Sequence, residues 1–157
     1  MVRSRARLAT GAVVALVLTA MFGVPRAASA VEQVTPDPRI AAVMAEVPGG
    51  VLLDAHHAVW PELDMVMETP DAVSAFAVGG CATGYVCVFD AANASGAKIS
   101  WSSCGNPTVS SFTVRSIANA RSAGYAQARY GTTVRATANA GSYANVFSSV
   151  NNVRCVA

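Results

Sequence analysis

The sequence predicts a mainly β protein whose working part is a small disulfide-bonded sandwich, and three observations carry that expectation. From Cys81 onward, short β-branched and aromatic runs alternate with Gly, Asn, Ser and Pro clusters, as brief strands alternate with turns. All four cysteines lie in that half. A five-residue pattern also recurs within it, as expected of two units that bury their sheet faces against each other.

Residues 1–30 stand apart. Arg3, Arg5 and Arg7 precede an apolar run from Leu8 to Val24, and Ala27-Ala28-Ser29-Ala30 follows. Charged, apolar and small-residue regions in that order describe a secretory signal peptide, with cleavage expected after Ala30. An uncleaved anchor is the alternative, since about seventeen apolar residues sit at the short end of a bilayer span. The 157-residue chain has 11 Lys and Arg against 9 Asp and Glu, a net charge of +2. The leader takes four arginines and no acid with it, leaving seven cations against nine anions, near −2. The basic excess therefore belongs to the leader, and nucleic acid is not an expected partner. No second apolar run of that length follows, so the secreted chain is expected to be a monomer without a membrane partner. An exported chain with four cysteines predicts two disulfides, and three connectivities are open.

Residues 31–80 form an acidic segment, with eight carboxylates against Arg39 alone, a net −7. Asp37 followed by Pro38 offers an N-cap and N1 pair, and Ile40, Val43, Met44 and Val47 recur at helical spacing until Pro48-Gly49-Gly50. A short amphipathic helix is expected there. Val51-Leu52-Leu53 and the alternating Leu63, Met65 and Met67 predict two strands of a hairpin joined around Ala55 to Pro61. One helix and one hairpin cannot bury much core alone, so their apolar faces need a partner.

Residues 81–157 carry Lys98 and five arginines against Asp90 alone, a net +5. Tyr85 to Phe89 is a β-branched and aromatic run, and Asp90 to Gly96 is turn-like. Ala97 to Trp101 then alternates, with Ala97 and Ile99 on one face and Lys98 and Ser100 on the other. Arg115-Ser116-Ile117-Ala118-Asn119 matches Ser148-Ser149-Val150-Asn151-Asn152 at a spacing of 33, pairing Ser116 with Ser149. Gly84-Tyr85 and Gly124-Tyr125 open the two copies.

Cys81-Ala-Thr-Gly84-Tyr-Val-Cys87 with Val88-Phe89, then Arg115 to Asn119, then Arg129-Tyr130-Gly131, is similar in order and spacing to the small secreted bacterial metallopeptidase inhibitors with a βγ-crystallin-like fold. The resemblance covers roughly residues 79–157. Phe89 with Gly96 seven residues later looks like the folded-hairpin signature of a crystallin Greek key, and Ser116 and Ser149 stand where a serine hydroxyl ties that hairpin down. The aromatic usual two residues before the glycine is Ala94 here. The resemblance implies a pair of Greek keys in two packed sheets, and inhibition of an extracellular metallopeptidase of the thermolysin type. It supports a Cys81–Cys87 disulfide, which leaves Cys104 and Cys155 to each other. It also implies a contact loop after Arg129-Tyr130-Gly131, here Thr132-Thr133-Val134-Arg135-Ala136-Thr137, which lacks the closely spaced cysteine pair of the family's loop. The candidate protease contacts are Arg129, Tyr130, Thr132, Thr133, Val134 and Arg135.

Other chemistry has little support. The C-x5-C spacing, with no CxxC or His pair beside it, is not a zinc pattern. His56 and His57 point to opposite faces of an extended segment and cannot easily share a metal. Neither G-x-S-x-G nor H-E-x-x-H occurs, and the module has a single carboxylate, so an enzyme is not expected, nor a cofactor. Ala144 to Ser149 and Ser111 to Ser116 partly match a crystallin calcium element, but the first lacks one ligand and the second puts Arg115 at another, so no metal is expected. Tyr125, Tyr130 and Tyr143 with Arg121, Arg129 and Arg135 could form a recognition face. The alternative to inhibition is a non-enzymatic binding or stress-protective module that recognises cell-envelope or other anionic ligands through its basic face. The opposed charges predict that residues 31–80 dock on the module, as a fixed layer or as a removable pro-segment.

Overall fold

In the computed structural model residues 34–70 and 80–157 are described, and the expected leader lies outside them. The chain enters through a helix, α1 (Pro38–Glu46), formed where expected. The Asp37 carboxylate accepts the Arg39 backbone N–H at 2.8 Å, Pro38 occupies the first turn, and the Val47 N–H closes the other end on Val43 O. Ile40 and Val43 are buried.

Three strands follow, β1 (Val51–Asp54), β2 (His57–Trp60) and β3 (Met65–Glu68), with a 3-10 turn at Pro61–Leu63. This corrects the expected two-strand hairpin, because the stretch read as its connection contains β2, and Leu63 belongs to the turn. The missed turn at Ala55-His56 carries no Gly. Instead the Asp54 carboxylate accepts the His56 backbone N–H at 2.7 Å, an Asx-type turn, and also contacts the His57 ring at 2.8 Å. Ala58 and Trp60 point into the core, and the Trp60 indole N–H donates to Val47 O at 2.9 Å, satisfying a carbonyl at the end of α1.

The module supplies β4 (Val86–Ala91), β5 (Ser95–Trp101), β6 (Ser116–Asn119), β7 (Tyr125–Tyr130), β8 (Thr133–Asn139), β9 (Ser142–Asn145) and β10 (Asn152–Val156). The protein is mainly β, as predicted, with antiparallel pairing throughout and two sheets. One sheet has seven strands in the order β1-β2-β3-β5-β4-β6-β9, and the other has three in the order β10-β7-β8. The acidic segment therefore extends a sheet of the module rather than forming a layer over it. Met65, Val66, Met67 and Glu68 pair in register with Trp101, Ser100, Ile99 and Lys98.

One core runs between the elements. Ile40 and Val43 of α1, Trp60, Met65 and Met67 of the meander, and Val86, Val88, Ile99, Ile117, Ala126 and Val153 of the module all belong to it. The alternate residues of β4, Cys87 and Phe89, are also buried, in a smaller cluster with Ala118 packed by Cys81, Tyr85 and Ala94. Strand β4 is thus covered on both faces, which is why its run reads as continuously apolar.

The two halves of the module repeat each other in topology. In the first, β6 lies beside β4 and β4 beside β5; in the second, β10 lies beside β7 and β7 beside β8. Each half also lends a piece to the other sheet: β9 pairs with β6, and Thr108 bridges Asn152 of β10. The register of this repeat differs from the sequence match. Ser116 faces Phe89, whereas the residue facing Arg129 is Asn152, and the Arg115 and Asn151 N–H groups donate to Phe89 O and Arg129 O respectively. The counterpart of Ser116 is therefore Asn152, 36 residues on, and Ser149 lies exposed outside the strands. Short Ser/Asn-rich strings match easily out of register; backbone pairing sets the true equivalence.

Candidate functional site

Strands β7 and β8 form the hairpin that carries the predicted contact residues. Tyr130 pairs with Thr133, leaving Gly131 and Thr132 as the turn. Gly131 has φ of 57°, the left-handed value that a type II′ turn requires at its first central position. What was expected to be a loop is therefore a tight hairpin tip running directly into a strand. The Arg129/Val134 and Ala128/Ala136 pairs leave Arg135 as the extra residue of a bulge.

Side chains from the far end of the module tie this tip in place. The Gly131 N–H donates to Asn151 Oδ1 at 2.9 Å, and Asn152 Nδ2 donates to Gly131 O at 3.0 Å. Asn152 Nδ2 also donates to Asn151 Oδ1 at 2.8 Å, joining the two asparagines. From within the hairpin, Arg129 Nη2 donates to Thr132 O at 2.7 Å. Both turn residues are thus held through their backbone, while Thr132, Thr133, Val134 and Arg135 stay exposed. The Arg135 guanidinium lies 5.9 Å from the Tyr130 ring centroid, within cation–π range.

Beside the tip runs a groove of about 550 Å³, walled by residues 110, 112–115 and 147–151 with Tyr130 contributing. Phe147 lines it and is 88% exposed, a large aromatic surface with little cover, near the half-exposed Tyr130. Arg115 lines it too. Phe147 escaped the sequence reading because an aromatic in a Ser/Asn-rich stretch signals a core position as readily as a surface one. The Asn151-Asn152 pair carried a usable signal, since asparagine side chains are frequent backbone ties at turns.

The first hairpin, β4–β5, is closed differently. Ser116 Oγ accepts the Ala94 N–H at 3.0 Å and donates to Ala91 O at 2.7 Å, and Asp90 accepts the Ala97 N–H at 2.7 Å. Gly96 has φ of 86°, and a Cβ there would collide with the Asp90 carboxylate, so Phe89 and Gly96 occupy a folded hairpin that admits only glycine at that point. Asn145 Oδ1 accepts the Asn93 N–H at 2.7 Å, so the residue matched to a calcium ligand is engaged in closing this hairpin.

Cys81 pairs with Cys87 and Cys104 with Cys155, with Cα separations of 5.7 and 5.0 Å. The expected recognition face is divided by the fold. Tyr130, Arg129 and Arg135 gather at the tip, but Arg121 donates to Ser102 O at 2.8 Å, Tyr125 is half-buried, and Tyr143 lies on β9 of the other sheet. His56 contacts the Thr69 hydroxyl at 3.1 Å and His57 contacts Asp54, so the two rings serve separate partners. Among the described residues no helix is long and apolar enough to cross a membrane. The chain matches no family model, no curated protein and no solved structure.

Proposed function

We propose that this protein is a secreted, non-enzymatic inhibitor of extracellular peptidases, with metallopeptidases of the thermolysin type as its target class, and that it presents the β7–β8 tip to the protease. The observation that carries the reading is the tied tip: an exposed hairpin whose two turn residues are anchored through their backbone by Asn151, Asn152 and Arg129. A segment that enters a protease cleft resists turnover when it is held rigid, because it loses little further freedom on binding and does not relax after attack. Hydrogen bonds here supply what a local cysteine pair supplies in the family that the sequence resembles. Strand β8 adds a second feature. It is the edge of the three-stranded sheet, so its outer backbone groups can meet a peptidase as an added strand, the way extended peptides are recognised.

The fold supports the same reading. The order β6-β4-β5 recurs as β10-β7-β8, β9 of the second half pairs with β6 and Thr108 of the first half bridges β10, an exchange that fits two Greek keys built on one plan. A folded hairpin with Phe89, Gly96 and Ser116 in place accords with a βγ-crystallin-like module.

The test is inhibition of a panel of thermolysin-like enzymes by residues 31–157. Tyr130→Ala and Val134→Ala are expected to weaken inhibition about tenfold or more each, as anchor truncations do. Asn151→Ala is expected to convert the tip from a resistant to a cleaved segment, read by mass spectrometry. Absence of inhibition across the panel, with salt-sensitive retention on anionic cell-wall material instead, would replace this reading with an anionic-ligand module using Arg115 and Arg135.

A further inference from the structure

A second cavity shares no residue with the groove at the hairpin tip. It measures about 500 Å³, within the range of small-molecule sites, and lies where the acidic segment meets the module. Val47, Pro48, Leu63, Met65, Trp101 and Pro107 give it apolar walls. Its charged lining residues are Glu46 and Glu62, and among the described residues neither has an ion-pair partner.

Two further observations give the cavity one electrical sign. Glu46 is the last residue of α1, whose C-terminal turn contains no basic residue, so the negative end of the helix dipole faces this region uncompensated. Burial raises the Glu46 pKa, but hydrogen bonds from the Ser111 and Ser110 N–H groups, at 2.7 and 3.2 Å, outweigh it and hold the carboxyl below its usual range. The carboxylate thus stays charged at neutral pH. Trp101, only 4% exposed, lines the same cavity, and its indole N–H has no acceptor among the described residues, so its resonance reports on what is seated against the ring.

We propose that this cavity binds a small organic cation with an apolar body, an alkyl or aryl ammonium or guanidinium, its body against Leu63, Met65 and Trp101 and its charge beside Glu62 and Glu46. Apolar walls reward burial of the body, and two carboxylates without ion-pair partners, Glu46 at the C-terminus of α1 and Glu62 in the 3-10 turn, select the cation over its neutral and anionic analogues. Such a group could come from a free amine or from a basic side chain of a peptide.

Titration of the full chain with phenethylamine, followed through the two tryptophan indole N–H resonances, tests this. The Trp101 signal is expected to shift saturably while Trp60, whose N–H is taken by Val47, stays in place. Phenethyl alcohol is expected to bind about fivefold more weakly or worse, and phenylacetate not at all; Glu62→Gln should cost about fivefold, the scale of a half-exposed ion pair. Leu63→Lys, at an exposed position, places the chain's own cation at the rim and should abolish binding while leaving the melting temperature unchanged. A capped arginine dipeptide that binds more tightly than phenethylamine identifies a peptide side chain as the ligand, and the reverse order identifies a free amine. Equal affinity for amine and alcohol, an unaltered affinity in Glu62→Gln, or no saturation by either cation up to tens of millimolar overturns the proposal. Inhibition assays with Leu63→Lys separate the two readings, because the tip is intact in that variant.

Discussion

The acidic segment and the basic module have opposite net charges, yet charge contributes little to the way they join. Among the described residues only one of their cross-boundary ion pairs has the expected sense, Glu68 of the segment with Lys98 of the module at 2.8 Å. The other runs against the net charges: Arg39, the segment's one cation, bonds at 2.9 Å to Asp90, the module's one anion. Both pairs are partly exposed, a setting in which such contacts are worth about 1 kcal/mol or less each. The junction rests instead on strand β3 pairing with β5 and on a common core in which Trp60, Met65 and Met67 meet Ile99 and Val86. Complementary charge between neighbouring segments is thus a guide to association and a poor guide to its cause.

The largest test of this comparison is separation. A fragment of residues 80–157 exposes the edge of β5 and the apolar face that β3 and α1 cover, and it is expected to lack a cooperative thermal transition. Within the whole chain, Trp60→Ala should cost about 3–5 kcal/mol, the range for emptying a large buried site. A fragment that melts as sharply as the full chain would mark residues 31–80 as a removable pro-segment.

The two disulfides sharpen the comparison next. Cys104–Cys155 closes a separation of 51 residues and Cys81–Cys87 one of 6. Loop-entropy scaling gives about 4 kcal/mol for the first and about 2 kcal/mol for the second. Urea denaturation of the paired Cys→Ser variants should preserve that order. The reverse order would show that the short bridge supports the Phe89 cluster more than it limits the unfolded chain.

The smallest expected effect tests Arg39, which pairs with Asp37 of its own segment as well as with Asp90 of the module. The Asp37 carboxyl is lowered to about 2, chiefly by its hydrogen bond from the Arg39 side chain, against the opposing effect of burial. Because the folded-state pKa lies below the unfolded one, this stabilisation is complete above about pH 4 and fades as pH falls toward 2. Arg39→Met should lower stability by about 1–2 kcal/mol at pH 7 and by progressively less toward pH 2, since the Asp37 carboxylate it pairs becomes neutral. A penalty independent of pH would assign the effect of Arg39 to its aliphatic packing.

Much of the fold was legible from local pattern. The α1 cap at Asp37-Pro38, the β4 run and the β5 alternation at Ala97 to Trp101 each depend on residues within a few positions of one another. The β2 strand was not legible, because its turn at Ala55-His56 carries no Gly, Asn or Pro and is closed by an Asp54 side-chain bond instead. At the tip, Arg129 to Arg135 were legible as one continuous stretch, but the ties from Asn151 and Asn152 cross some twenty residues of chain. The same distance hid the equivalence of Ser116 with Asn152, which only strand register reveals.

By itself the sequence determined the mainly β class, the helix and the split of charge between the two regions. Each of these follows from local periodicity, capping chemistry or simple counting. Only the tertiary structure decided that the acidic segment enters the module's own sheet, that the stretch from Arg129 to Arg135 is a tied hairpin tip, and that Phe147 stands exposed beside it. Those outcomes depend on which distant surfaces exclude water together and which distant backbones pair, and neither is written in any local stretch of chain.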